Sequence, residues 1–118
     1  MPINGQIENI FPLPGTADDT EQITTLLRAA GMRVERIVSH GQCSPAGFWY
    51  DQHEDEWVIL LAGAASVAFD DGKPPQPLRA GDHLMIPAGI RHRVAWTDPD
   101  QDTVWLALFC QPSMRTEA

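Results

Sequence analysis

Gly81-Asp82-His83-Leu84-Met85-Ile86-Pro87-Ala88-Gly89-Ile90-Arg91-His92-Arg93-Val94-Ala95-Trp96 is the stretch on which the fold turns. Gly81-Asp82 marks a turn, 83–86 is a short apolar run, Pro87-Ala88-Gly89 is a second turn with one fixed and one permissive φ, and 91–96 enters a second strand. Side chains alternate along a strand, so His92, Val94 and Trp96 share one face and Arg91, Arg93 and Ala95 the other. His92 is thereby turned to the apolar side. A histidine in that position is either a hydrogen-bonded core residue or a ligand or acid–base group.

Composition narrows the function classes around this stretch. The 118 residues suit one domain with a single core, and 43% hydrophobic content is that of a folded chain rather than a disordered one. The longest apolar run, 57–65, falls far short of the roughly 18 residues that span a bilayer, so no membrane role is expected. Sixteen acidic against eight basic residues give a net charge of −8, which repels phosphate backbones and argues against nucleic-acid binding. The N-terminus lacks a basic-then-apolar export pattern, and a cytoplasmic location is expected. There Cys43 and Cys110 read as buried or idle thiols, with a single late-forming bridge left open.

Towards the N-terminus, 1–15 carries Pro2, Pro12 and Pro14 among Ile7, Ile10, Phe11 and Leu13, the composition of an extended arm or edge strand. The pattern then changes. Asp18 with Glu21 three residues on offers a capping box, Ile23, Leu26 and Leu27 form one stripe, and Gly31 offers a stop. One short amphipathic helix is expected there, packed on the outside of the domain. Strands are expected over 32–39, 48–52, 56–62, 64–69 and 103–109, with 74–78 irregular or at an edge. The 48–52 and 56–62 strands read as a hairpin across the acidic connection His53-Glu54-Asp55. In the last strand Val104, Leu106 and Leu108 alternate with Thr103, Trp105, Ala107 and Phe109, so both faces look buried. Many short strands with one helix make an all-β sandwich or barrel, with 1–31 as arm and helix and 32–118 as the barrel.

Spacing within the quoted stretch adds a family. Gly81, five residues, Pro87, one residue, Gly89, two residues, His92 resembles the second motif of the cupin family, G-x(5)-P-x-G-x(2)-H-x(3)-N, departing from it at the end, where Trp96 stands for Asn. The resemblance implies a double-stranded β-helix, or jelly-roll barrel, and a first motif G-x(5)-H-x-H-x(3,4)-E-x(6)-G in the preceding hairpin. Two registers fit that motif imperfectly. Counting from Glu56, six residues before Gly63, sets Tyr50 and Gln52 at the two histidine positions. Counting from Gly47 sets His53 at the first and Asp55 near the second, and leaves no glutamate in place. Strand alternation favours the former, because Phe48, Tyr50 and Gln52 then share a face with Glu56, Val58 and Leu60. In that register His53, Glu54 and Asp55 form a solvated turn. From Ser39 to Phe109 the chain is also similar to a bacterial subgroup of small single-domain cupins.

By this resemblance Glu56 and His92 match family metal ligands, with Gln52 as a neutral oxygen donor and His53 as a second imidazole if it swings inward. Such donors suit iron, manganese, nickel or zinc. Tyr50 and Glu56 are the candidate catalytic groups, and Phe48, Val94 and Trp96 the candidate pocket wall. One reading is a metal-dependent enzyme acting on a small molecule, of dioxygenase, isomerase, decarboxylase or lyase type. A second is a metal-free barrel in which Glu56 and His92 form a buried hydrogen-bonded pair and the mouth accepts an apolar or aromatic ligand. A third is a structural homodimer assembled through the arm and outward Trp49, Trp57 and Trp105.

Overall fold

Alternation along the strands decides which side chains meet in the interior. The computed structural model describes residues 5–116. Its strands are β1 (Gln22–Ala29), β2 (Met32–Ser39), β3 (Asp55–Ala62), β4 (Ala64–Phe69), β5 (Gln76–Arg79), β6 (His83–Ile86), β7 (His92–Thr97) and β8 (Thr103–Cys110). They build two antiparallel sheets, a five-stranded one in the order β1-β2-β8-β3-β6 and a three-stranded one in the order β5-β4-β7. This is the expected all-β jelly roll. No helix among the described residues is long and apolar enough to cross a membrane.

In the larger sheet the ladder registers set the inward residues in rows. Arg33, Phe109, Glu56 and Ile86 stand side by side across β2, β8, β3 and β6. Glu35, Ala107, Val58 and Leu84 make the next row, and Ile37, Trp105 and Leu60 the one beyond. Ala65, Val67 and Leu78 of the smaller sheet close over these rows to form one core. Each large apolar side chain buried there contributes roughly 1.5–3 kcal/mol by leaving water. Between β3 and β4 the chain turns at Gly63, whose φ is +87°, and a Cβ at that point would lie 2.6 Å from Cα of Thr103. Only glycine fits so close an approach, which gives the last position of the first motif its physical reason.

The expected N-terminal helix is not formed. Residues 22–29 are β1, paired antiparallel with β2 from Gln22↔Val38 to Ala29↔Met32, with a bulge between Thr25 and Leu27. The three- and four-residue spacing of Ile23, Leu26 and Leu27 was compatible with a helix, but a lone helix of this length is marginal in water. β2 offers an otherwise unpaired edge, and the β-branched pair Thr24-Thr25 suits a strand. Gly31, at φ +80°, ends no helix and instead turns the hairpin. Of the arm, Met1–Asn4, with Pro2, lies outside the described residues; over 5–21 there is no strand, and the Ile10 carbonyl accepts a bond from Arg36 Nη1 at 3.3 Å.

A second correction concerns 48–52, which forms no hairpin with β3. Both edges of β3 are taken, one by β8 and one by β6, so no free ladder remains for it. Tyr50 alone makes a bridge, and its partner is His92.

Candidate functional site

The segment before β3 is stitched to the Pro87-Ala88-Gly89 turn and to the start of β7. Tyr50 N–H donates to the His92 carbonyl at 2.7 Å, His92 N–H donates back at 3.1 Å, and Gly89 N–H donates to the Gln52 carbonyl at 2.8 Å. Gly89 is at φ +82°, the backbone angle that lets its amide face Gln52. Below this turn, Asp55 accepts from Ala88 N–H at 2.8 Å and takes a two-pronged bond from Arg115, Nε at 2.9 Å and Nη2 at 3.0 Å. Asp55 is 1% exposed, so it is no part of a solvated turn. A buried carboxylate needs such partners, and here they lie in the second motif and near the C-terminus, where sequence spacing could not show them.

His92 opens β7 and is 6% exposed; Glu56, on the inward face of β3, is 8% exposed. The imidazole Nδ1 lies 2.9 Å from the Ile90 carbonyl. A carbonyl only accepts, so Nδ1 carries the proton and Nε2 is left facing the Glu56 carboxylate, 3.5 Å away. Burial by itself lowers the affinity of His92 for a second proton. The Glu56 hydrogen bond, the Ile90 carbonyl and the Glu56 charge together outweigh it and hold His92 above its ordinary value. The Tyr50 ring stacks on His92, centroids 5.5 Å apart and planes at 27°. Burial, then the negative charges of Glu21 and Glu56, push the phenol upward, so Tyr50 stays a hydrogen-bond donor at neutral pH.

These groups line one cavity of about 360 Å³ between the sheets. Tyr50, Gln52, Glu56, His92 and Val94 all reach it, with Trp105 and Phe109 in its wall. Three expected residues do not. His53 is exposed and away from the cavity, because the Tyr50–His92 bridge and the Gln52–Gly89 bond turn the chain before it. Phe48 stays outside the lining and packs edge-on against Tyr50 at 4.8 Å. Trp96 is 46% exposed. Its strand partners explain why: Ser66 faces Trp96 but Val67 faces Val94, so Ala95 is an extra residue that breaks the two-residue alternation. Trp105, expected on an outer face, is buried in the core.

Sequence reasoning missed Glu21, Arg33 and Glu35, which also line the cavity. Glu21 was hidden inside the supposed capping box. Arg33 and Glu35 were legible only as alternate residues of β2, whose inward face could not be told from its outward one without the partner strand. Cys43 lies at the cavity and Cys110 is half-buried; both are free thiols.

Donor chemistry decides whether the pair suits a resident divalent ion. Among the described residues no group of three or more His, Cys, Asp and Glu converges. His92 Nε2 and Glu56 are two strong donors, and the motif's imidazole positions hold a phenol and a neutral amide. Catalytic zinc and non-haem iron sites commonly use three protein ligands, so these residues fall one strong donor short of a tightly held ion.

A stretch of 59 residues, half of this chain, is 46% identical to protein SchB of Streptomyces halstedii, and the match spans 35% of that relative's length. Among solved structures, a Ralstonia eutropha protein described as a candidate mannose-6-phosphate isomerase superposes with a TM-score of 0.84 at 46% identity, covering 90% of this chain and 98% of that one. A cupin 2 conserved barrel domain protein from Salinispora arenicola superposes with a TM-score of 0.64 over 92% of this chain and 93% of its own, at 24% identity, which supports the fold alone. The cupin domain model matches residues 37–109. That is more than half of the 118 residues and takes in both halves of the site, so the chain belongs to the cupin family.

Proposed function

We propose that this cupin binds a small, largely apolar molecule in its barrel and transfers a proton with the His92–Glu56 pair. One observation carries the reading: the Ile90 carbonyl fixes the imidazole so that Nε2 faces Glu56 at 3.5 Å in the cavity between the sheets. The pair holds a proton at a pH where an exposed imidazole has begun to lose it. Such a group gives a proton to a bound ligand and takes one back, as isomerisation or elimination requires. Glu56 and His92 are then the proton-transfer pair, and Tyr50 the donor that orients the ligand. A sugar-phosphate substrate, the designation of the R. eutropha relative, receives no support from a lining whose arginine is already paired. An NMR titration of the His92 imidazole tests the reading. The expected midpoint lies above 6.5 in the wild type and falls in Glu56→Gln; an ordinary midpoint in the wild type sinks it.

A second reading is favoured by a single atom. Gln52 Oε1 is buried without a hydrogen-bond partner, which suits a third, neutral donor beside His92 and Glu56 for iron, manganese, nickel or zinc. Metal content of untagged protein by mass spectrometry, beside His92→Ala and Glu56→Ala, separates the readings. Near-stoichiometric metal lost in both variants supports the ion; none after incubation with all four leaves the proton-transfer pair alone.

The same reading includes a homodimer in the cytoplasm. Support for assembly comes from an apolar row across the outer face of the large sheet, Leu27, Val34, Leu108, Trp57 and Met85, one residue from each strand. Support for the compartment comes from the two free thiols, Cys43 and Cys110. Light scattering is expected to give twice the 13.0 kDa chain mass, and Leu108→Glu to give the chain mass itself.

A further inference from the structure

We infer that the cavity selects by charge: it takes uncharged ring molecules that carry hydroxyl or similar hydrogen-bond donors, and it turns anions away. This names the ligand class of the small-molecule site proposed above and rests on that reading. Three carboxylates, those of Glu21, Glu35 and Glu56, belong to the lining, against one permanent cation, Arg33. Arg33 is already engaged. Its Nε lies 3.2 Å from Glu35, its Nη1 is bonded to Glu54, and its guanidinium sits 4.1 Å from the centre of the Phe109 ring. An incoming anion would have to displace a carboxylate from that arginine while leaving its stacked geometry intact.

The remaining charges make entry worse for an anion. Glu21 accepts a bond from Ser39 Oγ at 2.9 Å and pairs with no cation among the described residues. Any positive charge on His92 faces Glu56 at 3.5 Å. The described chain has no α-helix, so no helix N-terminus supplies amide donors to a phosphate or carboxylate. What is left is an apolar wall that includes Ile23, Ile37, Val58 and Val94 with the rings of Tyr50 and Trp105, the neutral polar side chains of Gln42, Ser44 and Gln52, and carboxylate oxygens that accept hydrogen bonds. Apolar faces favour a ring, and exposed acceptors favour a ligand that donates.

Calorimetric titration at pH 7 with three probes, 2-naphthol, 2-naphthoate and mannose 6-phosphate, tests the inference. The two naphthalenes share a ring system and differ in charge. We expect 2-naphthol to bind, 2-naphthoate to bind at least about tenfold more weakly, and mannose 6-phosphate to give no heat of binding. In Glu21→Gln, checked for folding by its melting curve, the gap between the two naphthalenes should shrink to about threefold or less. Equal or tighter binding of either anion overturns the inference, as does a failure of 2-naphthol to bind or a gap unmoved by Glu21→Gln. An ordinary His92 titration beside a preserved charge gap would remove the proton-transfer reading and leave charge selection standing, so the two fail separately.

Discussion

Among the described residues two histidine–carboxylate pairs occur, and the shorter one is the less interesting. His40 Nδ1 lies 2.9 Å from Asp102, with the two side chains 36% and 23% exposed. His92 Nε2 lies 3.5 Å from Glu56, with the side chains 7% and 10% exposed. The first pair faces water, where solvent competes for both groups and salt screens them. The second is walled in by Trp105, Phe109 and the Tyr50 ring, and its imidazole is oriented by a backbone carbonyl. Enclosure and a fixed tautomer, more than separation, make an acid–base pair able to act on a ligand.

Breaking the enclosure gives the largest expected effect. Trp105→Ala removes a core ring from the cavity wall and should cost about 3–5 kcal/mol of stability by urea denaturation. The His92 midpoint should move toward its ordinary value in whatever fraction stays folded. Asp55→Ala comes next. It removes the bonds to Ala88 and Arg115 that hold the turn carrying the site, and about 2–4 kcal/mol is expected, since Arg115 is half in water and keeps part of its solvation. Broadened His92 resonances would report the loosened turn.

A smaller and pH-dependent effect should follow from Glu56→Gln. The folded protein holds the His92 proton more tightly than the unfolded chain, so protonation favours folding. That contribution is fully present below about 6.5 and is lost as pH rises through the raised folded value. Melting curves from acid to alkaline pH should therefore show the wild type's advantage over Glu56→Gln shrinking across that window. The smallest effect belongs to the exposed pair: Asp102→Asn should change stability by no more than about 0.5 kcal/mol and leave 2-naphthol binding as it was. An Asp102→Asn effect as large as that of Glu56→Gln would break the comparison.

Much of the barrel was legible from local pattern. Turns at Gly63, Gly81 and Gly89 and the runs of β2, β4, β6 and β8 stand close to where composition and alternation set them, because glycine angles and a two-residue period are local physics. Tyr50, Gln52, Glu56 and His92 line one cavity as the register counted from Glu56 required, although the hairpin used to argue for it does not exist. Where reading failed, a partner far along the chain had overridden a local signal. β2 recruited residues 22–29 from helix to strand, and a bulge against Ser66 and Val67 turned Trp96 out of the cavity.

The chain's own order of residues thus determined that an all-β barrel forms and that the His92 imidazole and the Glu56 carboxylate face its interior. Tertiary structure alone decided that Ile90 orients His92, that Asp55 holds the turn beneath it, and that Arg33 is neutralised before any ligand arrives. The reason is physical: alternation and turn chemistry act over a few neighbouring residues, whereas hydrogen-bond satisfaction and charge pairing of buried groups depend on which distant strands meet.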